Sequence, residues 1–473
     1  MNSSKTYTIL QSFDKYEINR IRKFLESPYF NSNQAIIDLF EIIIGDILST
    51  KQKELEKEQV WDTIYKGKKF DDVRFRKLNS ELLKLVEQFL AQQIYEENPI
   101  RQAVHLMEAV GNKKLEKLYN STLRTARRFS EQQKYRPANF YFYQYEIERN
   151  YYDLIQLDQK RTTKGNEGEI AINLDCFYLA EKLRIYCYTL TRKKYTSHEY
   201  NILFIDEIVE SIQKYKYDKY PPIAIYYQIF LTSTQPEIEK NYYKLIDLLN
   251  QHSQLFPPDE ALSMYRFATN YCIGKVNRGQ QEFLRELFNL NKILIDKELI
   301  FNEGELSPWG FKNIILSGLR LDEFDWVESF IENYKERIPQ KYRENAVTLN
   351  LAQLYFFKQD FEKVITLLHQ VEYEDISYNL DSKMMLIVTY YETDEIEPLY
   401  HLFESFRVYL NRNKKIPQVK KKRYLNLIKY TKKLTKLIPG DKKTLAKIKK
   451  EVEDTKGIIH SRWLKEKIAE LER

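Results

Sequence analysis

Two stretches of the chain, LAQLYFFKQDFEKVITLL at residues 351–368 and LIVTYYETDEIEPLYHLF at residues 386–403, share one pattern of apolar residues. A constant offset of 35 residues relates four pairs of positions: Leu351 and Leu386, Tyr355 and Tyr390, Val364 and Leu399, Leu368 and Phe403. Within each stretch the apolar residues recur at intervals of three and four, which is typical of amphipathic helices. Each stretch therefore predicts two helices, which are separated by a turn at Asp360-Phe361 or Glu395-Ile396.

The order of residue types in these stretches resembles the tetratricopeptide repeat, which has two helices and a period of 34 residues. The first helix of that repeat carries a leucine, a small residue and, three positions later, an aromatic residue. Leu351, Ala352 and Tyr355 occupy these positions in the first stretch. The resemblance implies helical hairpins that stack side by side.

Two further copies are predicted upstream, because Leu284 and Val327 precede Val364 at successive intervals of 43 and 37 residues. The chain departs from the repeat family at Val364, Ile387 and Leu399, which are larger than the usual small residues and would push the paired helices apart. A generic helical hairpin is the alternative interpretation. We predict an all-α fold, an α-α superhelix of stacked helical hairpins resembling a tetratricopeptide solenoid, with a small N-terminal helical domain.

The composition agrees with this fold class. Hydrophobic residues make up 43% of the chain and charged residues 30%, which is ordinary for a globular protein. There are 12 Gly and 13 Pro in 473 residues, about 5% against about 12% in average proteins. A β-rich fold needs these residues at its many tight turns, so their scarcity argues against such a fold.

Apolar residues at helical spacing also predict several helices in the N-terminal part. One helix is predicted to end at Pro28, and Asn31 or Ser32 is predicted to cap the next. A long helix is predicted to begin after Asp71 or Asp72. We predict an N-terminal helical domain at 1–98, a helical-repeat region at 99–410 and basic C-terminal capping helices at 411–473.

Part of the chain resembles a known family. FLESPYFNSNQAIIDLF at residues 24–40, followed by VWDTIYKGKKFDDVRFRKLNSELLKLVEQFL at residues 60–90, resembles the opening of a family of uncharacterised helical proteins of Bacteroidota. Trp463 and Leu464, before a short final helix, are similar to the end of that family. The resemblance covers the first hundred residues well and the remainder loosely. It implies a helical architecture and a bacterial cytoplasm, and it implies no activity.

The sequence contains no HExxH, GxSxG or GxGxxG motif and no EF-hand loop. GKVNRGQQ at residues 274–281 has the glycine spacing of a phosphate-binding loop, but Gln280 and Gln281 replace the lysine and the hydroxyl residue that contact phosphate and Mg²⁺. We therefore predict a connection between two helices there. The six histidines form no i, i+4 pair. The sequence thus predicts no catalytic residue, no cofactor and no metal site.

Three cysteines, Cys176, Cys187 and Cys272, are too few and too widely spaced for a disulfide framework, which favours a reducing compartment. The N-terminal residues show no uninterrupted apolar segment of the kind found in signal peptides. No apolar stretch is long enough for a membrane span. We therefore expect a cytoplasmic protein.

The charge is distributed unevenly. Residues 411–450 contain 16 Lys or Arg and one acid, Asp441, which is a net charge of +15; because the whole chain carries +7, the other 433 residues carry −8. Between Pro417 and Pro439 an apolar stripe is predicted at Tyr424, Leu427, Ile428, Leu434 and Ile438. The opposite face is predicted to carry Lys422, Lys429, Lys432, Lys433 and Lys436. After it, Asp441 is predicted to cap a further helix with an apolar stripe at Leu445, Ile448 and Val452.

This basic block has three interpretations. The first is a solvated capping helix at the end of the predicted repeats. The second is a surface that neutralises nucleic-acid phosphates, and the third is an attachment to anionic lipid. The lipid interpretation is the least favoured, because the apolar stripe is needed for packing. The sequence predicts a non-catalytic scaffold that binds a protein partner on its helical-repeat surface. The alternative is a nucleic-acid-associated protein that uses the basic helices.

Overall fold

The computed structural model describes residues 1–49, 54–157, 165–193, 200–369, 375–438 and 440–472, and over these residues the chain forms helices and no β-strand. This confirms the predicted all-α class. The α-helices are α1 (Lys5–Gln11), α2 (Lys15–Glu26), α3 (Gln34–Ile47), α4 (Lys57–Ile64), α5 (Asp72–Glu96), α6 (Pro99–Asn112), α7 (Glu116–Glu131), α8 (Ala138–Leu157), α9 (Glu167–Lys193), α10 (Ile205–Tyr215), α11 (Pro221–Thr234), α12 (Glu239–His252), α13 (Pro258–Asn277), α14 (Glu282–Asp296), α15 (Pro308–Leu319), α16 (Phe324–Tyr334), α17 (Gln340–Phe357), α18 (Phe361–His369), α19 (Ile376–Glu392), α20 (Ile396–Arg412), α21 (Gln418–Leu434), α22 (Lys442–Asp454) and α23 (Ser461–Leu471). Single 3-10 turns follow α10, α12 and α16, at Tyr217–Lys219, Ser253–Leu255 and Lys335–Arg337.

The chain divides into two compact units, Met1–Lys182 and Leu183–Arg473. The predicted boundary after residue 98 lies at the junction of α5 and α6, and the one after residue 410 lies inside the last turn of α20. One hydrophobic core in the second unit extends from Ile295 to Ile468 and is continuous across residue 410. The domain boundaries proposed from the sequence stay predictions.

In the first unit, α1 to α5 surround a core whose buried residues run from Tyr7 to Phe89, and we call these five helices the N-terminal core. The long helix α5 packs against α1, α2 and α3. It begins as predicted, because the side chain of Asp71 accepts a hydrogen bond from the backbone N–H of Arg74. The short helix α1 was not predicted from the sequence. Its Tyr7 hydroxyl donates to Asp46 of α3 at 2.7 Å.

The cap of α3 differs from the prediction. Asn33 is the N-cap, whereas Asn31 or Ser32 was predicted. Asn31 instead closes the preceding turn: its side-chain amide donates to the Leu25 carbonyl, and its side-chain oxygen accepts from the Asn33 N–H, both at 2.9 Å. The prediction was wrong because all three residues have cap-forming side chains and only the tertiary turn selects among them.

In the second unit, consecutive helices pair as α11–α12, α13–α14, α15–α16, α17–α18 and α19–α20. First helices of several pairs also pack on one another, since α17 contacts both α15 and α19, and α19 contacts α21. We call the helices α13 to α20 the hairpin array. In this region GKVNRGQQ crosses the turn between α13 and α14, so the predicted connection is confirmed.

The same turn closes the first helix in four hairpins of the array. Two or three positions after the end of each of these helices, one residue has a left-handed backbone, namely Gly279, Asp322, Gln359 and Asp394. The N–H of the following residue then donates to a carbonyl five positions earlier, on Lys275, Gly318, Tyr355 and Tyr390 respectively, at 2.8 to 3.2 Å. This is the Schellman motif. Its intervals of 43, 37 and 35 residues are those read from the apolar pattern in the sequence.

Leu351, Tyr355 and Leu386, which belong to the apolar pattern in the first helices, are half-buried, whereas the second-helix residues of the pattern are buried in every copy. In the second helices these are Leu284 and Phe288, Val327 and Ile331, Val364 and Leu368, Leu399 and Phe403. At Gly318 an added Cβ would lie only 2.6 Å from Val327 Cγ2, so α15 and α16 approach too closely there for any side chain. The α15–α16 hairpin is therefore a tightly packed pair.

The C-terminal helices follow the predicted pattern with one exception. Asp441 caps α22 by accepting from the Thr444 N–H at 3.0 Å, and the predicted stripe of α22 is buried. In α21 the predicted apolar residues through Leu434 are buried, but Ile438 is 72% exposed. That assignment was wrong because α21 ends at Leu434 and the chain leaves the helical direction. Pro439, the predicted helix breaker, lies outside the described residues.

Candidate interaction surfaces

The five predicted lysines do not share one environment. Lys422, Lys429, Lys432 and Lys433 lie on α21, and Lys436 follows its end. Lys422, Lys429 and Lys436 are exposed, whereas Lys432 and Lys433 are half-buried and paired with carboxylates. The uniform ammonium face predicted from helical spacing is therefore divided by the neighbouring helices.

Lys432 faces α20. Its Nζ lies 3.2 Å from Oε1 of Glu404 and 5.3 Å from the ring centroid of Tyr400. The hydrogen bond from Lys432 lowers the pKa of the Glu404 carboxyl below its usual range, and the charge of Arg407 adds to the shift. Much of the charge of Lys432 is thus neutralised within the fold.

Lys433, only one residue later, turns towards α22 and forms an ion pair with Glu451. The hydrogen bond from Lys433 lowers the pKa of the Glu451 carboxyl, and the charges of Lys429 and Lys447 lower it further. Lys433 therefore pairs directly with this carboxylate, and Lys429 and Lys447 add positive charge near it. We call Lys429, Lys433, Lys447 and Glu451 the lysine cluster.

Lys447 and Glu451 were not singled out from the sequence, although a signal was present. They stand four positions apart on α22, which places them on one face of that helix. Their proximity to Lys429 and Lys433 is a tertiary feature, since it requires α22 to fold back along α21. The sequence could not supply that arrangement.

A second surface is a groove on the turn side of the array, with a volume of about 940 Å³. Its walls are the turns of α13–α14, α15–α16 and α17–α18, the end of α19, and helix α23. We call it the turn groove, and it is lined by Gln281, Leu319, Arg320, Asp322, Phe356, Phe357, Gln359, Phe361, Val388, Glu392, His460, Arg462, Trp463, Glu466, Lys467 and Glu470. Apolar side chains therefore lie among charged ones.

Helix α23 is held against the array by side-chain contacts to α19. The indole N–H of Trp463 donates to Oε1 of Glu392 at 2.5 Å, and Nζ of Lys467 lies 2.8 Å from Oε2 of the same carboxylate. The Trp463 ring also meets Tyr391 edge to face, with ring centroids 5.3 Å apart. Trp463 and Leu464, which the family resemblance singled out, are both buried.

His460 stands at the start of α23 with a left-handed backbone. Its ring lies between those of Phe356 and Trp463, at centroid distances of 5.7 and 6.3 Å. Burial lowers the pKa of His460 below its ordinary value of 6.5, an effect that the charge of Glu466 opposes. The neutral imidazole is therefore the form that suits this contact.

Among the described residues, no group of three or more His, Cys, Asp or Glu side chains is arranged to hold a metal ion. Within the same residues, no helix has the length and apolar character needed to cross a membrane. All three cysteines are buried.

No protein-family model, no curated protein and no solved structure matches this chain. The resemblance to the helical family of Bacteroidota stays a prediction from the quoted residues.

Proposed function

We propose that the chain is a non-catalytic interaction protein, a scaffold whose tetratricopeptide-like array binds a protein partner. The observation that supports the proposal is the repeated hairpin, which ends its first helix in the same turn at Gly279, Asp322, Gln359 and Asp394. Units that stack in this way bury their apolar stripes against one another and leave an extended surface for binding. The interval of 35 residues in the last two copies is close to the period of 34 in that repeat family.

The turn groove is the part of this surface best suited to a partner. Phe356 and Trp463 supply buried aromatic rings, and Phe357 and Phe361 are half-buried at the opening. Protein interfaces typically combine such an aromatic centre with a polar rim. Arg320 and its charged neighbours provide that rim here.

The proposal is tested by site-specific photo-crosslinking in cells that naturally express the chain. p-Benzoylphenylalanine replaces Phe357 in the turn groove or, as a matched control, Tyr243, an exposed aromatic of α12. We expect one protein to be crosslinked from position 357 and not from position 243. With that protein purified, Phe357→Ala should weaken binding about tenfold, the size expected for an aromatic at the centre of an interface. Equal crosslinking from both positions, or none from either, contradicts the proposal.

A second candidate function is supported by the lysine cluster. We propose as the alternative that the basic helices bind the phosphates of nucleic acid, because Lys422, Lys429 and Lys436 are exposed and the lysine cluster carries three ammonium groups and one carboxylate. Each phosphate neutralised contributes about 0.9 to the log–log salt slope for duplex DNA and about 0.7 for single strands.

The test of this alternative is fluorescence anisotropy with labelled DNA and RNA, starting at about 50 mM salt, where phosphate contacts are strong. Replacing Lys429, Lys432, Lys433 and Lys436 by Gln should flatten the salt dependence. The control replaces by Gln four exposed lysines elsewhere in the second unit, and it should bind as the wild type does. These are Lys214 of α10, Lys219 of the 3-10 turn after α10, and Lys240 and Lys244 of α12. No binding by the wild type at low salt rejects the alternative.

A further inference from the structure

The lysine cluster is organised by a buried tyrosine. The Nζ atoms of Lys429 and Lys433 lie 4.7 and 5.8 Å from the ring centroid of Tyr430, which is only 2% exposed. Lys429 Nζ also donates to the Tyr430 hydroxyl at 3.3 Å, and that hydroxyl lies 2.7 Å from Oγ1 of Thr455. Two ammonium groups are therefore positioned by a side chain that belongs to the core.

The third ammonium group comes from the other helix. Lys447 is one turn before Glu451 on α22, and its charge, with that of Lys429, acts on the same carboxylate that Lys433 binds. Three positive charges and one negative charge leave a local excess of two positive charges. The Glu451 carboxylate accepts from Lys433 the kind of charge-assisted hydrogen bond that a phosphate oxygen accepts.

We infer that the lysine cluster is a binding site for a backbone phosphate of nucleic acid, and that Glu451 is an internal counterion with which this phosphate competes for Lys433. The inference rests on the second function proposed above and assigns the contact to particular residues. Lys432, which is bound to Glu404 on the other side of α21, is not part of the site.

Two observations favour a polymer of phosphates over an anionic membrane. Lys422 and Lys433 are 11 positions apart on α21, which is about 16 Å along the helix, so the ammonium groups extend over several nucleotides rather than over one anion. A membrane-bound amphipathic helix inserts its apolar face. The apolar face of α21 is instead buried in the core of the second unit, at Tyr424, Leu427 and Leu434.

The decisive variant is Glu451→Gln in the full chain, because it keeps the shape of the side chain and removes the competing charge. We expect it to bind single-stranded RNA or duplex DNA about three- to tenfold more tightly than the wild type. We also expect its salt slope to be steeper by about 0.7 on RNA or about 0.9 on duplex, the contribution of one additional phosphate. Comparing the two probes identifies which form of nucleic acid is bound.

The matched control is Glu472→Gln. Glu472 pairs with Lys449 of α22 at 2.9 Å. The two pairs are similarly exposed: the lysine side chains are 44% exposed at Lys449 and 37% at Lys433, and the glutamate side chains 37% at Glu472 and 30% at Glu451. Both variants add the same net charge, so only a local site distinguishes them. Glu472→Gln should leave the affinity within about twofold of the wild type, a change well below the tenfold that corresponds to 1.4 kcal/mol.

A second variant keeps the inference testable if Glu451→Gln is poorly folded. Lys447→Gln removes an exposed ammonium group and should weaken binding, whereas Lys450→Gln on the same helix should have a smaller effect.

Three outcomes would overturn the inference. If Glu451→Gln and Glu472→Gln tighten binding equally, or if neither variant tightens it while the wild type binds, the lysine cluster is rejected as the site and nucleic-acid binding stands. If the wild type binds neither probe at about 50 mM salt, the proposed nucleic-acid function itself fails. Binding only to vesicles of phosphatidylserine and phosphatidylcholine overturns the choice of ligand.

Discussion

The N-terminal core and the hairpin array are both helical, but they are stabilised in different ways. In the N-terminal core, the long helix α5 contacts three others, α1, α2 and α3. In the array each hairpin contacts its neighbours, and one backbone turn recurs. The comparison shows that helices with similar local signals pack against one long helix in the N-terminal core and as consecutive pairs in the array.

The largest expected effect comes from removing a buried phenylalanine in each region. Phe40→Ala and Phe403→Ala should each cost about 3–5 kcal/mol, since both side chains are buried. Hydrogen exchange should show loss of protection throughout α1 to α5 for Phe40→Ala. For Phe403→Ala the loss should be greatest in α19, α20 and their neighbours, because coupling in a stack passes between adjacent units. Equal loss in α13 and α20 would contradict this difference.

A smaller change in stability, of opposite sign in the two regions, is expected when a helical glycine is replaced by alanine. Gly318→Ala should destabilise the array by about 1–3 kcal/mol, because the new Cβ would lie 2.6 Å from Val327 Cγ2 and 3.2 Å from the ring of Phe288. Gly45→Ala in α3 meets no atom within 4 Å and should stabilise the N-terminal core by about 0.5–1 kcal/mol. Hydrogen exchange of α15 and α3 measures both changes. The interpretation is wrong if Val327→Ala does not relieve the cost of Gly318→Ala.

Replacing the residues with a left-handed backbone should also change the stability of the two regions in opposite directions. In the N-terminal core this conformation is taken by Gly67, whereas in the array it is taken by Gly279 and also by residues with side chains, such as Gln359 and Asp394. A left-handed backbone costs an L residue about 1–2 kcal/mol in the folded state. Glycine avoids this cost, but it loses more conformational entropy on folding, which offsets part of the gain. Gln359→Gly should therefore stabilise the array by about 0.5–1 kcal/mol, while Gln359→Ala should bring no gain. Gly67→Ala should cost about 1 kcal/mol, and denaturant unfolding measures all three.

The smallest expected effect is a pH dependence confined to the end of the array. Burial lowers the pKa of His460, so the folded state binds fewer protons than the unfolded chain. The stability that neutral His460 provides is present above pH 6.5, and it is lost as the pH falls from there towards the lower pKa of the folded state. Hydrogen exchange of α23, corrected for intrinsic rates, should be faster at about pH 5.5 than at about pH 7.5.

His460→Gln is the control for this effect, since it should remove the pH dependence without removing the helix. The N-terminal core contains no histidine, because the first in the chain is His105. Its exchange should therefore stay constant over the same range. A change of similar size in α5 would show that the pH response does not arise at His460.

Much of the fold was predictable because its signals are local. The caps at Asp71 and Asp441 are confirmed, and the second-helix residues of the apolar pattern are buried; both signals depend on residues within a few positions of one another. The failures occur where a tertiary contact competes with a local preference. Asn31 closes a turn through Leu25 instead of capping α3, and Ile438 follows a helix that has already ended.

The candidate surfaces were predictable only in outline. The excess of lysine over residues 411–450 is evident from composition, but Lys432 and Lys433, which are adjacent in the chain, pair with carboxylates 28 positions before and 18 positions after them. The turn groove depends on Trp463 meeting Glu392, which is 71 residues away.

The amino-acid sequence by itself determined that this chain is helical and where most helices begin and end, because apolar spacing and capping act within one or two turns of backbone. The tertiary structure decided which lysines keep their charge exposed and where a groove opens, because these depend on which helix faces which. Burial and ion pairing are set by neighbours in space, and a periodic pattern along one helix does not identify them.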